Sequence, residues 1–286
     1  MTSSPAWCWL NGKVAPAAET TVSVTDHGLT VGDGVFETMK VVDGVPFALT
    51  RHLRRLERSA TALALVRDGW ATDEAITAGC RDLLDAACGA GADVGRLRVT
   101  VTGGPGPAGS ARGDEGCTVL IVAGPVEPWE HGTAIVTVPF TRNPTGALAG
   151  VKSTSYAENV VALARARAAG ATEALFADVH GRLSEGTGSN VFVVRDGVLL
   201  TPSLATGCLA GITRELVLEV TDAEETEDLR LADLVTADEV FLTSSTRDAQ
   251  AVAVVDGTRR GGACPGPVTV AAGEALAALQ ARTLDP

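Results

Sequence analysis

Strand-like and helix-like segments do not alternate strictly along this 286-residue chain, and this arrangement restricts the folds that the chain can adopt. Short apolar or alternating runs predict strands, while apolar residues three or four positions apart predict helices. Asp43-Gly44 and Asp196-Gly197 are typical of hairpin turns. Hairpins mixed with helices favour an α+β or mixed α/β fold. The predicted strands are 7–10, 21–24, 35–42, 96–102, 118–123, 134–138, 173–178, 190–195 and 239–243, and the predicted helices are 51–65, 72–89, 157–169, 212–220 and 268–282.

Two stretches rich in glycine and proline interrupt these segments. Residues 103–116 carry too many of both to form regular structure, and residues 123–129 have the composition of a linker. Each half of the chain has its own strands and helices. We therefore predict an N-terminal α/β domain over 1–122, an interdomain linker over 123–130 and a C-terminal domain over 131–286.

The composition excludes several classes of protein. Apolar residues make up 45% of the chain, as in a globular protein with a sizeable core, and the formal charge of −12 argues against a nucleic-acid partner. No run approaches the ~20 apolar residues of a membrane span, and residues 1–7 lack the features of a signal peptide. The six cysteines are scattered and no histidine pair has metal-ligand spacing. We expect a reduced, metal-free, cytoplasmic protein without a membrane partner.

The common sequence motifs of nucleotide-binding proteins, metalloproteases and hydrolases are absent from the chain or unconvincing in their context. Residues 104–109 formally match the GxGxxG pattern, but two prolines and the lack of a following helix argue against a dinucleotide site. The chain has no GK[ST] phosphate loop, no HExxH and no GxSxG. A serine or cysteine hydrolase is therefore not favoured.

Positive charge is carried almost wholly by arginine, which makes the three lysines, Lys13, Lys40 and Lys152, conspicuous. Lys13 follows an Asn-Gly turn signature, whereas Lys152 precedes a Ser-Thr-Ser run and a predicted helix. Tyr156, the only tyrosine, lies four residues beyond Lys152, and a phenol near a reactive amine can bind a cofactor oxygen. A solvated surface lysine and a packed tyrosine are the more common roles, so this pair alone decides nothing.

Glu185 is a lone carboxylate in a run of small residues, 181–190, directly before an apolar strand. One chemical use for such a group is to face a pyridinium nitrogen and keep it protonated. A solvated glutamate in a glycine-rich turn is the alternative.

Three further segments are candidates for binding a phosphate. Gly211, Ile212 and Thr213 open a predicted helix, whose first backbone amides can bind an anion. The hydroxyls of residues 244–246 follow a predicted strand, and Arg55 could contribute a guanidinium. Each also has an ordinary explanation, as a capped helix, a polar strand end or a solvated helix face.

Taken together, in this order and spacing, these segments resemble the class-IV aminotransferases, the fold-type-IV pyridoxal 5′-phosphate (PLP) enzymes. That family includes branched-chain and D-amino-acid transaminases and 4-amino-4-deoxychorismate lyase. The resemblance runs from about Trp9 to Val268, and its motifs are 26–38, 52–56, 152–156, 185–190, 209–214 and 241–245.

The resemblance implies a two-domain homodimer with its active site between the domains, and a C-terminal domain that binds PLP. Lys152 would hold the cofactor covalently and move the proton at the substrate α-carbon. The other implied contacts are Tyr156 with the phenolic oxygen of the cofactor, Glu185 with its pyridine nitrogen, Leu209 with its ring, and Arg55, Ile212, Thr213 and Ser245 with its phosphate.

Substrate recognition is expected from Phe36, Thr246 and two arginines. Arg96 and Arg98 lie two residues apart in a predicted strand and therefore share a face. Arg98 matches an arginine of branched-chain transaminases, and either arginine could bind a carboxylate or simply face solvent. Gly103 stands where D-amino-acid transaminases of the best-known pattern carry an arginine.

The resemblance leaves two activities open. Residues 36–38 resemble the transaminase pattern, whereas residues 27–36 are also typical of the lyases. We favour a transaminase acting on amino acids and 2-oxo acids, with D-amino acids preferred or with broad specificity. The alternative is 4-amino-4-deoxychorismate lyase, which releases pyruvate and 4-aminobenzoate for folate synthesis.

Overall fold

The computed structural model describes residues 6–66, 72–130 and 132–286 and divides the chain into two compact units. Unit 1 comprises Met1–Glu127, Val151–Tyr156 and Leu284–Pro286, and unit 2 comprises Pro128–Gly150 and Ala157–Thr283, in each case so far as the residues are described. None of the described helices has the length and apolar character needed to cross a membrane.

This division differs from the domain limits predicted above in two places. The predicted linker begins at residue 123, but residues 123 and 124 are the end of a strand that pairs with two neighbours. Residues 151–156 were predicted to belong to the C-terminal domain, yet they group with unit 1 because their backbone bonds to a strand of that unit. The predicted start of that domain, residue 131, lies outside the described residues.

Unit 1 contains a six-stranded sheet in which every described pair of strands is antiparallel. Asn11-Gly12 and Asp43-Gly44 join two of its hairpins with positive φ angles, which Asn, Asp and Gly tolerate best. The strands are β1 (Trp7–Leu10), β2 (Lys13–Pro16), β3 (Gly34–Val42), β4 (Val45–Pro46), β5 (Arg96–Thr102) and β6 (Thr118–Gly124), in the order β2-β1-β6-β5-β3-β4, and the helices are α1 (His27–Thr30), α2 (Leu49–Ala62) and α3 (Asp73–Gly89).

Side-chain alternation gives the two faces of this sheet different roles. One face is apolar and packs against α2 and α3, forming a core that includes Val35, Met39, Val99 and Leu56. On β5, residues 96 and 98 are exposed while 97, 99 and 101 are buried, so Arg96 and Arg98 share the opposite face, as predicted. Phe36 belongs to that second face, because it pairs with Thr100 of β5.

Unit 2 is built on a nine-stranded mixed sheet with parallel pairs β7–β8, β7–β14 and β11–β12. Asp196-Gly197 forms the predicted hairpin between β10 and β11. The strands are β7 (Gly132–Arg142), β8 (Glu173–Asp178), β9 (Leu183–Gly186), β10 (Asn190–Arg195), β11 (Val198–Pro202), β12 (Glu224–Thr226), β13 (Glu239–Ser244), β14 (Asp248–Val255) and β15 (Thr258–Arg259), and the helices are α4 (Ala157–Ala168), α5 (Ile212–Val220), α6 (Asp233–Thr236) and α7 (Pro267–Arg282).

The predicted mixed α/β class is confirmed, and most predicted segments coincide with an observed element. The strand predicted over 21–24 is wrong: its threonine–valine alternation looks strand-like, but its side chains are exposed and its backbone lies in no strand. The helix predicted over 51–65 runs from Leu49 to Ala62. The sequence pattern did not indicate β14, whose first half is rich in alanine and polar residues rather than β-branched ones.

Candidate active site

Lys152 is held by its backbone rather than by an element of regular structure. Its carbonyl accepts a hydrogen bond from the Phe36 amide at 3.0 Å, and the Thr154 amide donates to the Gly34 carbonyl at 2.8 Å. The segment thereby runs along the free edge at the start of β3. The Lys152 amide also donates to the hydroxyl of Ser59 on α2, at 3.3 Å. Three hydrogen bonds to a strand and a helix therefore fix where the lysine side chain leaves the backbone.

Four of the predicted site residues meet at the ring of Phe36. The Lys152 Nζ lies 4.5 Å from the ring centroid and the Arg98 guanidinium carbon 3.7 Å from it. The Tyr156 ring packs edge-on, with the two centroids 5.3 Å apart. Unit 1 thus gathers an amine, a phenol and a guanidinium around one apolar ring. Arg96 does not join them: it lies across from Lys40 in the sheet register.

Arg55 lies on the other side of β3 in a buried ion-pair cluster that the sequence did not reveal. Its Nε and Nη2 each donate to the Glu37 carboxylate at 2.7 Å. Nδ1 of His52 donates to the same carboxylate at 2.6 Å. Glu37 is only 1% exposed. The one available signal was local: His52 and Arg55 are three residues apart on α2 and so share a face.

Burial and charge act in opposite directions on this cluster. Burial alone would raise the pKa of Glu37, but Arg55 and His52 outweigh it and hold that pKa well below its usual range. Burial lowers the pKa of His52, although the Glu37 carboxylate opposes it. Glu37 is therefore ionised at neutral pH, and its charge balances that of Arg55.

In unit 2, Glu185 is not the solvated carboxylate of an ordinary glycine-rich turn. Its Oε2 accepts a hydrogen bond from the Leu209 amide at 2.9 Å, which brings these two predicted cofactor ligands together. Its Oε1 lies 3.1 Å from Nε of Arg142, an ion pair without hydrogen-bond geometry. The Arg142 guanidinium stacks on the Phe176 ring at 3.9 Å. No sequence pattern indicated Arg142, because it lies 43 residues before Glu185 (185 − 142).

The predicted phosphate-binding residues of unit 2 lie in two segments connected through Asn190. Helix α5 begins at Ile212 with Gly211 as its N-cap and no capping side chain. Asn190 donates from Nδ2 to the Leu209 carbonyl at 2.9 Å, and a Cβ on Gly211 would lie 1.9 Å from its Oδ1. In the sheet, Asn190 pairs with Thr243 of β13, the strand that leads directly to Ser245 and Thr246.

A model of the family described as "Amino-transferase class IV" matches residues 34–255 of this chain. The chain belongs to this family. It is 37% identical over 261 residues to a provisionally named branched-chain-amino-acid aminotransferase of Methanocaldococcus jannaschii, with 87% of this chain and 88% of the other covered. It is 30% identical to the D-alanine aminotransferase of Bacillus licheniformis, covering 91% and 92% of the two chains.

Solved structures agree with the fold of this aminotransferase. The branched-chain amino acid aminotransferase from Escherichia coli superposes with a TM-score of 0.86 at 27% identity, covering 96% of this chain and 94% of that one. A hypothetical aminotransferase from Mycobacterium tuberculosis in its PLP-bound form gives 0.81 at 26% identity, with 96% and 98% covered. A provisionally named 4-amino-4-deoxychorismate lyase from Legionella pneumophila gives 0.81 at 22% identity over 93% and 97%, which shows the fold alone.

This aminotransferase is a PLP-dependent enzyme, and its described residues fit that cofactor. Unit 1 supplies a lysine amine, the only side chain that condenses readily with an aldehyde. Unit 2, taken by itself, has a partly buried carboxylate, Glu185, and a helix start without a capping side chain, where backbone amides can bind a phosphate. A Cβ at Gly211 would force the Asn190 side chain to move, because it would lie 1.9 Å from the Asn190 Oδ1.

Proposed function

We propose that this enzyme moves the amino group between an amino acid with a branched apolar side chain and a 2-oxo acid. The observation that carries the proposal is the stacking of Arg98 on Phe36 beside Lys152, because it offers an apolar wall and a carboxylate-binding group next to the amine. The 37% identity to a provisionally named branched-chain-amino-acid aminotransferase supports the same substrate class.

A second candidate is a transaminase that prefers D-amino acids, the activity favoured above from the sequence and its family resemblance. The 30% identity to a D-alanine aminotransferase supports it. The surroundings of Gly103 weigh against it, because a Cβ there would lie 2.3 Å from a carboxylate oxygen of Asp33. Arg112 occupies the space beyond, with its Nε and Nη2 each 2.6 Å from Asp33. An arginine at position 103 would not fit without displacing this pair.

The cofactor contacts assigned from the family resemblance form the second part of the proposal. Bound PLP supplies an electron-withdrawing ring that stabilises negative charge at the substrate α-carbon. Lys152 holds the cofactor and carries the α-proton, and Arg98 orients the substrate carboxylate. The remaining contacts are Tyr156 at the phenolic oxygen, Glu185 at the pyridine nitrogen, Leu209 at the ring, and Arg55, Ile212, Thr213 and Ser245 at the phosphate, with Thr246 beside the substrate.

The buried cluster behind β3 gives Arg55 a defined place in this proposal. Two of its nitrogens are committed to Glu37, which holds the guanidinium plane in one orientation. A preoriented arginine loses less side-chain entropy when it binds an anion than a flexible one does. We therefore assign Glu37 and His52 to positioning Arg55.

The test is a panel of L- and D-amino acids presented to the holoenzyme with 2-oxoglutarate as acceptor. Under the proposal, L-leucine, L-isoleucine and L-valine are converted to their 2-oxo acids faster than D-alanine. A preference for D-alanine would select the second candidate. Turnover of 4-amino-4-deoxychorismate to pyruvate without any 2-oxo acid acceptor, and no transamination, would overturn both in favour of the lyase.

We also propose that the enzyme is a cytoplasmic homodimer, as the family resemblance implies. The six cysteines, all among the described residues, are free, as expected in a reducing compartment. Light scattering of the purified holoenzyme should give twice the chain mass of 29.2 kDa. A single-chain mass at micromolar concentration would contradict the dimer.

A further inference from the structure

Arg247 is a buried arginine in the turn between β13 and β14, immediately after Ser245 and Thr246. Its side chain is 7% exposed, and its guanidinium lies 3.9 Å above the Trp129 ring. Nη1 donates to Oε1 of Gln250 at 3.0 Å, and its backbone amide closes the turn on the Ser244 carbonyl at 3.1 Å. The turn that carries Ser245 is thus held from inside unit 2.

The charge partner of Arg247 is Glu173 on β8, which is 1% exposed and lies 3.3 Å from Nη2. The same carboxylate accepts hydrogen bonds from the Thr187 amide at 3.0 Å, from the Thr187 hydroxyl, and from the Ser189 hydroxyl at 2.9 Å. Gly186 lies against it, since a Cβ there would be 3.1 Å from the Glu173 carboxyl carbon. Glu173 therefore anchors the glycine-rich loop 186–189 that follows Glu185.

Polar contacts continue from this loop to Glu185 itself. The Thr187 carbonyl accepts from Nδ2 of Asn159 at 2.9 Å. Oδ1 of Asn159 accepts from Nη2 of Arg142 at 2.6 Å, and Arg142 forms the ion pair with Glu185. A continuous network within unit 2 therefore joins the carboxylate assigned to the pyridine nitrogen with the turn assigned to the phosphate.

We infer that Arg247, with Glu173, is a positioning residue that keeps the Ser245 hydroxyl in place to bind the cofactor phosphate. The inference rests on the proposed role of Ser245. Burying a charged pair costs desolvation that an apolar pair would not, so stability alone does not explain its presence here. Glu173 bonds to loop 186–189, which directly follows Glu185, and Arg247 lies in the turn that carries Ser245, with its guanidinium bonded to Gln250 of β14. Arg247 is assigned no contact with the phosphate itself, because its Nη1 bonds to Gln250, its Nη2 faces Glu173 and its guanidinium stacks on Trp129.

The experiment compares binding of PLP with binding of pyridoxal, which lacks the phosphate, to the apoenzyme. Dissociation constants are measured by absorbance titration for the wild type and for Arg247→Gln, Arg247→Lys and Ser245→Ala. Arg247→Gln should weaken PLP binding about tenfold, the cost of one lost charge-assisted hydrogen bond, and pyridoxal binding less than about twofold. Arg195→Gln, which removes an exposed arginine of the same unit, is the matched control and should change neither constant.

The ratio of the two constants separates the possible results. A loss of PLP and pyridoxal binding in equal proportion, or no loss of either, would overturn the positioning role. If Ser245→Ala leaves the ratio of the PLP dissociation constant to the pyridoxal dissociation constant unchanged, the proposed phosphate contact itself is wrong. If Ser245→Ala raises this ratio and the Arg247 variants do not, only the present inference is wrong.

A further variant separates a positioning role of the Glu173–Arg247 pair from a purely structural one. Glu173→Gln/Arg247→Gln removes both charges together, so no buried ion is left without a partner. This double variant should give the circular dichroism spectrum of the wild type. Its PLP dissociation constant should rise more than its pyridoxal dissociation constant. If it and Arg247→Lys both failed to fold, the pair would be purely structural and the inference would be overturned.

Discussion

Replacing Glu37 by glutamine tests whether the buried cluster behind β3 holds unit 1 together. The substitution keeps the side-chain volume but removes the negative charge that balances Arg55, which is 4% exposed. Removing one partner of a buried ion pair costs roughly 3–5 kcal/mol, because the other charge remains buried. Glutamine keeps one oxygen that can still accept from Arg55, so the expected loss is about 3 kcal/mol, near the lower end of that range.

Urea unfolding of the apoenzyme at pH 7, followed by circular dichroism, measures this loss. The matched control is Glu57→Gln on the exposed side of α2, which removes the same charge and should change the free energy of unfolding by less than about 0.5 kcal/mol. A cost below about 1 kcal/mol for Glu37→Gln, or one equal to that of the control, would refute the reasoning.

The same cluster predicts how the difference between wild type and variant depends on pH. The folded-state pKa of Glu37 is depressed, so its stabilisation is fully present above the unfolded-state pKa of about 4.3. The stabilisation is lost as the pH falls through the folded-state pKa. The difference in unfolding free energy should therefore stay level from pH 7 to about 5 and narrow below about 4.3. A difference that narrowed as the pH rose would contradict the assigned direction.

Three further substitutions probe the cofactor site. Lys152→Ala should purify without the visible absorption band of lysine-bound PLP, and an unchanged spectrum would mean that another lysine is used. Glu185→Gln should lower turnover by about a hundredfold or more while PLP retention changes little, and full activity would exclude the pyridine contact. Gly211→Ala should weaken PLP retention on dialysis, because a Cβ would lie 1.9 Å from the Asn190 oxygen. Gly273→Ala in α7, with open space around its Cβ, should retain PLP as the wild type does.

Local patterns were sufficient for much of the fold. The strand β5 alternates aliphatic with polar or charged residues, and the Asp-Gly hairpins were predicted because positive φ angles favour such residues. Local patterns failed where an element depends on distant partners. The segment around Lys152 has no strand signature, and its place in unit 1 comes from hydrogen bonds to residues that lie far earlier in the chain, Gly34, Phe36 and Ser59.

Some residues of the candidate site could likewise be identified from sequence, and others could not. Motif residues such as Lys152, Tyr156 and Glu185 could be selected from sequence because their chemistry and spacing are unusual. The residues that hold them could not, because a glutamate or arginine with a buried partner looks like a surface charge in sequence. Glu37, Arg142 and Glu173 are recognisable only once the strands that carry them are paired.

Both units place a buried carboxylate–arginine pair behind residues assigned to the cofactor: Glu37 with Arg55 in unit 1, and Glu173 with Arg247 in unit 2. An apolar pair of similar volume would cost less to bury, but it would make no directional hydrogen bonds to the loops around it. Ions that must satisfy directional hydrogen bonds accept only one arrangement of the backbone around them. For an enzyme that must hold one cofactor in a single position, that loss of freedom is useful, and substitutions in either pair should weaken cofactor binding as well as lower the free energy of unfolding.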